Sequence, residues 1–218
     1  MKINKTIFEK YKNDDYPPMF YKYEGKKCQI LTVGLNPSLT KEAIQIIDNL
    51  TNKFDAKKTF KKNSKAIEEL INYQFKVKCD TQIPYFKVLN NFFDEIGDIN
   101  FYDDVFHYDF CPSRETDSKK ILPKIKKEDV FFDDLYDLFE KAVIKIDPAI
   151  ILVLNGGLSR RFIQSKSKKV SEIQPDGYRL FQGRPMILAN QLSGGATSIA
   201  YKEILIWLVK KGMNKASK

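Results

Sequence analysis

The sequence predicts a three-layer α/β/α sandwich built on a central, largely parallel four-stranded sheet. Short apolar runs alternate with helical patterns along the chain, as they do when parallel strands are joined by crossover helices. One run, residues 149–154 (AIILVL), is wholly apolar, and another, residues 28–34 (CQILTVG), is nearly so, as expected of strands covered on both faces. No internal repeat and no Pro-, Gly- or Ser-rich linker divides the chain. Residues 1–218 therefore read as one domain, with its core at about 28–210.

Taken in order, the first strand at 28–34 is followed by helical patterns at 41–50 and 85–96, whose apolar residues recur at helical spacing. Residues 104–110 (DVFHYDF) form the second strand. Acidic and apolar residues then repeat through 131–146 until Asp147 and Pro148 end the helix, because a proline drives the residue before it away from helical backbone. The third strand at 149–154 and the fourth at 185–190 (PMILAN) come next. A last helix over 198–211 carries Ile204, Leu205, Trp207 and Leu208.

Composition narrows the function classes. The hydrophobic fraction of 43% is ordinary for a globular protein, and no apolar run approaches the roughly 20 residues of a membrane span. The first 23 residues are charged and aromatic and lack the apolar stretch of a secretory signal, so a soluble, cytoplasmic protein without a membrane partner is expected. Cys28, Cys79 and Cys111 are widely spaced and form no CxxC pair, which favours reduced, buried thiols over a cluster or a disulfide framework. The net charge is +9, with basic stretches at 53–65, 119–127 and 166–169. Such a surplus suits a phosphate backbone, since a basic face gains affinity by releasing condensed counterions. A Lys-rich composition with solvated lysines would give the same total. A small-molecule nucleotide enzyme is disfavoured by the lack of a Walker loop or GxGxxG.

In parallel α/β sheets, ligand chemistry gathers beyond the carboxyl ends of the strands. Here those ends read Gly34-Leu35-Asn36-Pro37-Ser38, then Asp109-Phe110-Cys111-Pro112-Ser113-Arg114, then Asn155-Gly156-Gly157, then Asn190-Gln191-Leu192-Ser193-Gly194-Gly195. In this order they resemble the uracil-DNA glycosylase superfamily, over about residues 28–207. Gly34 to Ser38 is similar to the first motif of the mismatch-specific and single-strand-selective monofunctional branches. Residues 106–112 are similar to the base-reading strand of the latter branch, with Asp109 where the family has asparagine. Gln191-Leu192-Ser193 stands where the family usually has His-Pro-Ser.

The resemblance implies a uracil-DNA glycosylase-like sandwich that flips a nucleotide out of the stack and cleaves its N-glycosidic bond. Flipping costs a few kcal/mol, and cleavage needs a placed water and stabilised charge on the departing base. Gly34 and Pro37 would let backbone approach the nucleotide, and Asn36 would orient the water without deprotonating it. Forgoing a carboxylate there gives up as much as the roughly 10²–10⁴-fold of acid–base catalysis. The competing assignment for Asn36 is a loop cap before a proline. Gln191 would stabilise the base anion in place of the family's histidine.

Asp109 and Ser38 bear on which base. An ionised carboxylate only accepts hydrogen bonds, so Asp109 would pair with the N4 amino group of cytosine and repel O4 of uracil. A protonated Asp109 would instead serve uracil, and pairing with Arg114 would withdraw it from the pocket. Ser38 replaces the tyrosine that in uracil enzymes walls off pyrimidine C5, leaving room for a substituent, although it also suits a helix N-cap. Phe75, with Tyr73 and Tyr85 as alternatives, lies where the family stacks an aromatic on the base; core packing is the commoner fate of such rings. Ser193, Gly194, Gly195 and Arg114 would meet DNA phosphates, and Leu192 would pack or wedge into the duplex. His107 reads as a strand residue facing a helix, and Asn155-Gly156-Gly157 as a site of close packing.

The expected function is thus a monofunctional DNA glycosylase acting on a non-standard pyrimidine. A 5-modified cytosine (hydroxymethylated or glucosylated, as in a defence against phage) stands ahead of uracil. A non-catalytic DNA-binding member of the fold is the alternative. No metal, no organic cofactor and no obligatory protein partner is expected, and the chain would act as a monomer.

Overall fold

The computed structural model describes residues 28–36, 84–113, 115, 118–123, 130–164, 170–192 and 199–216. The helical pattern at 41–50, the basic stretches at 53–65 and 166–169, and Ser38, Phe75, Arg114, Ser193, Gly194, Gly195, Tyr73 and Cys79 lie outside the described residues.

The elements alternate as the periodicity predicts. Strand β1 (Ile30–Gly34) precedes helix α1 (Pro84–Ile96), a short helix α2 (Phe101–Asp104) and strand β2 (Val105–Asp109). Helices α3 (Ser118–Ile121) and α4 (Val130–Ile146) lead to strand β3 (Ile150–Leu154) and helix α5 (Gly156–Gln164). Strands β4 (Arg179–Phe181) and β5 (Arg184–Ala189) follow, and α6 (Ile199–Ala216) closes the order.

The sheet has five strands, not the four expected, in the order β2-β1-β3-β5-β4. Strands β1, β2, β3 and β5 are mutually parallel where they pair, and β4 joins the edge antiparallel to β5. The additional strand is three residues long, with only Phe181 fully buried. It folds back through Gln182 and Gly183, both at positive φ (51° and 76°), the conformation of a two-residue hairpin turn. Such turns usually announce themselves as Asn-Gly or Asp-Gly; a glutamine in the left-handed region gives no such signal. The turn is anchored by Arg184, whose guanidinium pairs with Asp147 and donates to the Gln182 carbonyl at 2.9 Å.

Two apolar layers cover the sheet. On one face, Leu135, Phe139 and Val143 of α4 and Leu158 and Phe162 of α5 pack on Leu31, Val33, Phe106, Ile151 and Val153. On the other, Phe86, Leu89 and Phe93 of α1 and Leu205 and Val209 of α6 cover Ile30, Val105, Leu152 and Ile187. The alternation of side chains along each strand sets this division. It also puts Thr32 and Gly34 of β1, and His107 and Asp109 of β2, on the α1 face. Sandwiched between helices on both sides, the three-layer arrangement agrees with the expectation. Cys28 and Cys111 are both buried.

Candidate active site

The register of β1 with β2 builds the centre of the site. Thr32 lies opposite His107, and Gly34 opposite Asp109. Pairing continues past the strand ends, with the Phe110 and Cys111 amides donating to the carbonyls of Gly34 (3.0 Å) and Leu35 (2.8 Å). The two loops that carry the first and second motifs therefore leave the sheet side by side.

On the α1 face this register lines up groups that an apolar core would not choose. Thr32, His107 and Asp109 are buried, at 0%, 1% and 6% exposure. Burial of polar groups is tolerated when they hydrogen-bond, and these do. Thr32 Oγ1 stands 2.9 Å from His107 Nδ1 and 3.3 Å from the Phe106 carbonyl. The hydroxyl has one proton, which the Phe106 carbonyl and the ring nitrogen can each accept. The other ring nitrogen, Nε2, faces Asp109 Oδ1 at 3.4 Å. That separation is long for a strong hydrogen bond, yet it sets the ring edge against the carboxyl group.

Gly34 is required by the same arrangement. A Cβ at this position would sit 2.6 Å from Asp109 Oδ1 and 3.2 Å from His107 Cε1. The glycine expected as a turn former thus makes room for the Asp109 and His107 side chains beside it.

The first turn of α1 roofs the group. Tyr85 and Phe86 meet His107 edge-on, with ring centroids 5.3 and 5.4 Å away. His107 is accordingly a strand residue facing a helix, as expected, but it also touches Asp109. Tyr85 is partly exposed, while its hydroxyl oxygen is buried and has no hydrogen-bond partner among the described residues. Burial, and secondarily the nearby Asp109 charge, pushes that hydroxyl well above the ordinary tyrosine range, so it stays a donor.

Asn36 sits beside this centre, half-buried. Its Nδ2 donates to the carbonyls of Glu115 (2.7 Å) and Ser113 (3.4 Å), tying the loop after β1 to the loop after β2. The donor half of the amide is committed to backbone, so any water it orients would be held through Oδ1. The loop-capping and water-orienting assignments are compatible in this geometry.

The remaining expectations fall further away. Gln191 is exposed beyond the end of β5. It is separated from Asp109 by three strand spacings, roughly 14 Å. Leu192 is partly buried against the apolar layer of α1 and α6. Asn155 caps α5, its Oδ1 accepting from the Leu158 amide at 2.9 Å. Gly157 permits close packing, since a Cβ there would meet Leu122 Cδ1 at 2.8 Å. Among the described residues no three His, Cys, Asp or Glu side chains gather as a metal site, and no helix is long and apolar enough to cross a membrane.

Of the residues that the sequence points to, the structure brings Gly34, Asn36 and Asp109 together. Their link to Thr32, His107 and the Tyr85 hydroxyl is not among the sequence expectations. A signal existed: Thr32 and Gly34, like His107 and Asp109, are two apart in otherwise apolar strands and so share a face. Compared with models of known families, the chain matches none, and it matches no curated protein. The fold and site define an α/β protein with a buried Thr–His–Asp line at the carboxyl edge of its sheet.

Proposed function

We propose that the protein is a monofunctional DNA glycosylase that excises a flipped-out non-standard pyrimidine, with 5-modified cytosine as its substrate class. The observation that carries this reading is the buried Asp109 carboxylate at the end of β2, set beside His107 and given space by Gly34. A carboxylate there accepts from an exocyclic amino group, and the nearest donor edge in a DNA pyrimidine is N4 of cytosine. Asn36, held by the Ser113 and Glu115 carbonyls, would place the attacking water through Oδ1. Its amide cannot take a proton, so the glycosidic bond opens first, and the water that adds to C1′ gives its proton to the departing base anion or to solvent. Gln191 would approach the base only across the width of a bound nucleotide.

The net charge of +9 supports a polyanionic partner. Selectivity against ordinary cytosine has to come from the C5 substituent, in the space that Ser38 would leave open.

Duplexes carrying uracil, cytosine, 5-hydroxymethylcytosine or its glucosylated form separate the possibilities. Alkali-labile sites should arise with the modified cytosines and not with cytosine. Absence of cleavage in all four would sink the glycosylase reading and leave a DNA-binding module. Cleavage of the uracil duplex alone would overturn the role given to Asp109. Asn36→Ala should abolish excision while duplex affinity stays within a few-fold of wild type, and retained excision would remove Asn36 from the mechanism.

A further inference from the structure

A buried hydroxyl without a partner is costly, and cores rarely keep one without a use. Among the described residues the Tyr85 hydroxyl is such a group. Its ring sits at the first turn of α1, against His107, at the carboxyl edge of the sheet where Asp109 ends β2. It is thus a hydroxyl donor within the electrostatic reach of the Asp109 carboxylate.

Resting on the reading of Asp109 as the N4-contacting group, we propose that Tyr85 is a second specificity-determining residue, its hydroxyl donating to ring nitrogen N3 of a cytosine-type base. Acceptor beside donor is the complement of cytosine, which presents the N4 amino group beside the N3 lone pair. Uracil and thymine present O4 beside N3–H, the inverse pattern, and would confront both protein groups with like partners. His107 serves the pair as a positioning residue, since its ring stands between Thr32 and Asp109. The C5 side of the ring is untouched by either contact, so the pair distinguishes cytosine-type from uracil-type bases and leaves the C5 substituent to other residues.

The test deletes one atom on each side of the contact. Duplexes carry a 2′-fluoro nucleotide, whose electron-withdrawing sugar slows cleavage, with 5-hydroxymethylcytosine, its 3-deaza analogue or uracil as the base. Wild type should bind the 3-deaza duplex about 3- to 10-fold more weakly than the parent, the loss of one hydrogen bond. Tyr85→Phe should bind the parent more weakly by the same factor and show no further loss with the 3-deaza base. Its melting temperature should match or exceed wild type, because the orphaned hydroxyl is gone. Unchanged affinity of Tyr85→Phe for the parent, or losses that multiply, would overturn the role of Tyr85 alone. Should the variant not fold, equal wild-type affinity for parent and 3-deaza duplexes overturns that role by itself. Equal wild-type affinity for uracil and 5-hydroxymethylcytosine overturns the cytosine reading, and this proposal with it.

Discussion

At the residue scale, the site depends on what is absent from Gly34 and what surrounds Tyr85. Gly34→Ala adds a methyl group 2.6 Å from Asp109 Oδ1, with the His107 ring behind it at 3.2 Å. The carboxylate side chain can rotate away, but only by leaving the position that faces His107. We expect a stability loss of about 1–3 kcal/mol in denaturant unfolding, and a larger proportional loss in discrimination between modified cytosine and uracil duplexes. Full discrimination in a folded Gly34→Ala protein would show that the Asp109 position does not matter. Tyr85 makes a prediction about pH. Its hydroxyl titrates well above its ordinary value of 10.0 in the fold, because burial and then the Asp109 charge oppose ionisation. In the unfolded chain it ionises at the ordinary value. The unfolded state therefore releases a proton first, and stability present below about pH 10 is lost progressively as pH rises above it. Tyr85→Phe should flatten that alkaline decline relative to wild type in thermal melts taken from pH 8 to 11.

At the scale of elements, helix docking places the roof over the site and can be broken independently of it. Helix α6 closes on the α1 face through Gly212, where a Cβ would lie 2.5 Å from Ile150 Cδ1 and 3.5 Å from Pro185 Cβ. Gly212→Val inserts three carbons into that contact. The resulting overpacking should cost about 1–3 kcal/mol in urea unfolding, and the better helix propensity of any residue over glycine offsets at most about 1 kcal/mol. A variant as stable as wild type would mean that α6 does not bear on β3 at this point. On the opposite face Ser159 Oγ of α5 donates to the Ala189 carbonyl at 2.9 Å, joining that helix to the end of β5. The short elements are the least legible ones. Strand β4 has three residues and so carries no period, whereas β3 is evident as an unbroken apolar run. Helix α2 likewise is a single turn, capped by Asn100 accepting from the Tyr102 and Asp103 amides.

At the scale of the whole molecule, charge bears on the proposed polyanionic partner. A net charge of +9 predicts binding that weakens steeply with salt. If three phosphates are neutralised, duplex affinity should fall roughly 40-fold between 50 and 200 mM salt, and more with further contacts. Salt-independent binding, or none, would remove the polyanionic partner from the proposed function. The parallel order also bears on the site, because the connection leaving β1 runs to β2 on one side and that leaving β3 runs towards β5 and β4 on the other. Such a divergence opens a crevice at the carboxyl edge, beside Gly34 and Asn36.

The alternation of apolar runs, the four parallel strands and the polar segments at their ends could be read from the chain, because period and composition are local properties. Asp109, Gly34 and Asn36 were legible as candidate residues for the same reason, each standing at or just after the end of an apolar strand. What lay beyond reach was contact between distant residues. Thr32 and His107 are 75 positions apart and meet only because β1 and β2 pair in one register. The place of Tyr85 above them depends on how α1 docks, and the tie from Asn36 to Glu115 on how two loops leave the sheet. Side-chain periodicity determines which face a residue occupies; cross-strand register and helix docking decide which residues share it. The sequence by itself therefore determined the layered fold and the edge where chemistry would gather. Only the tertiary structure set a buried histidine against Asp109 and brought the Tyr85 hydroxyl, unpartnered among the described residues, near it.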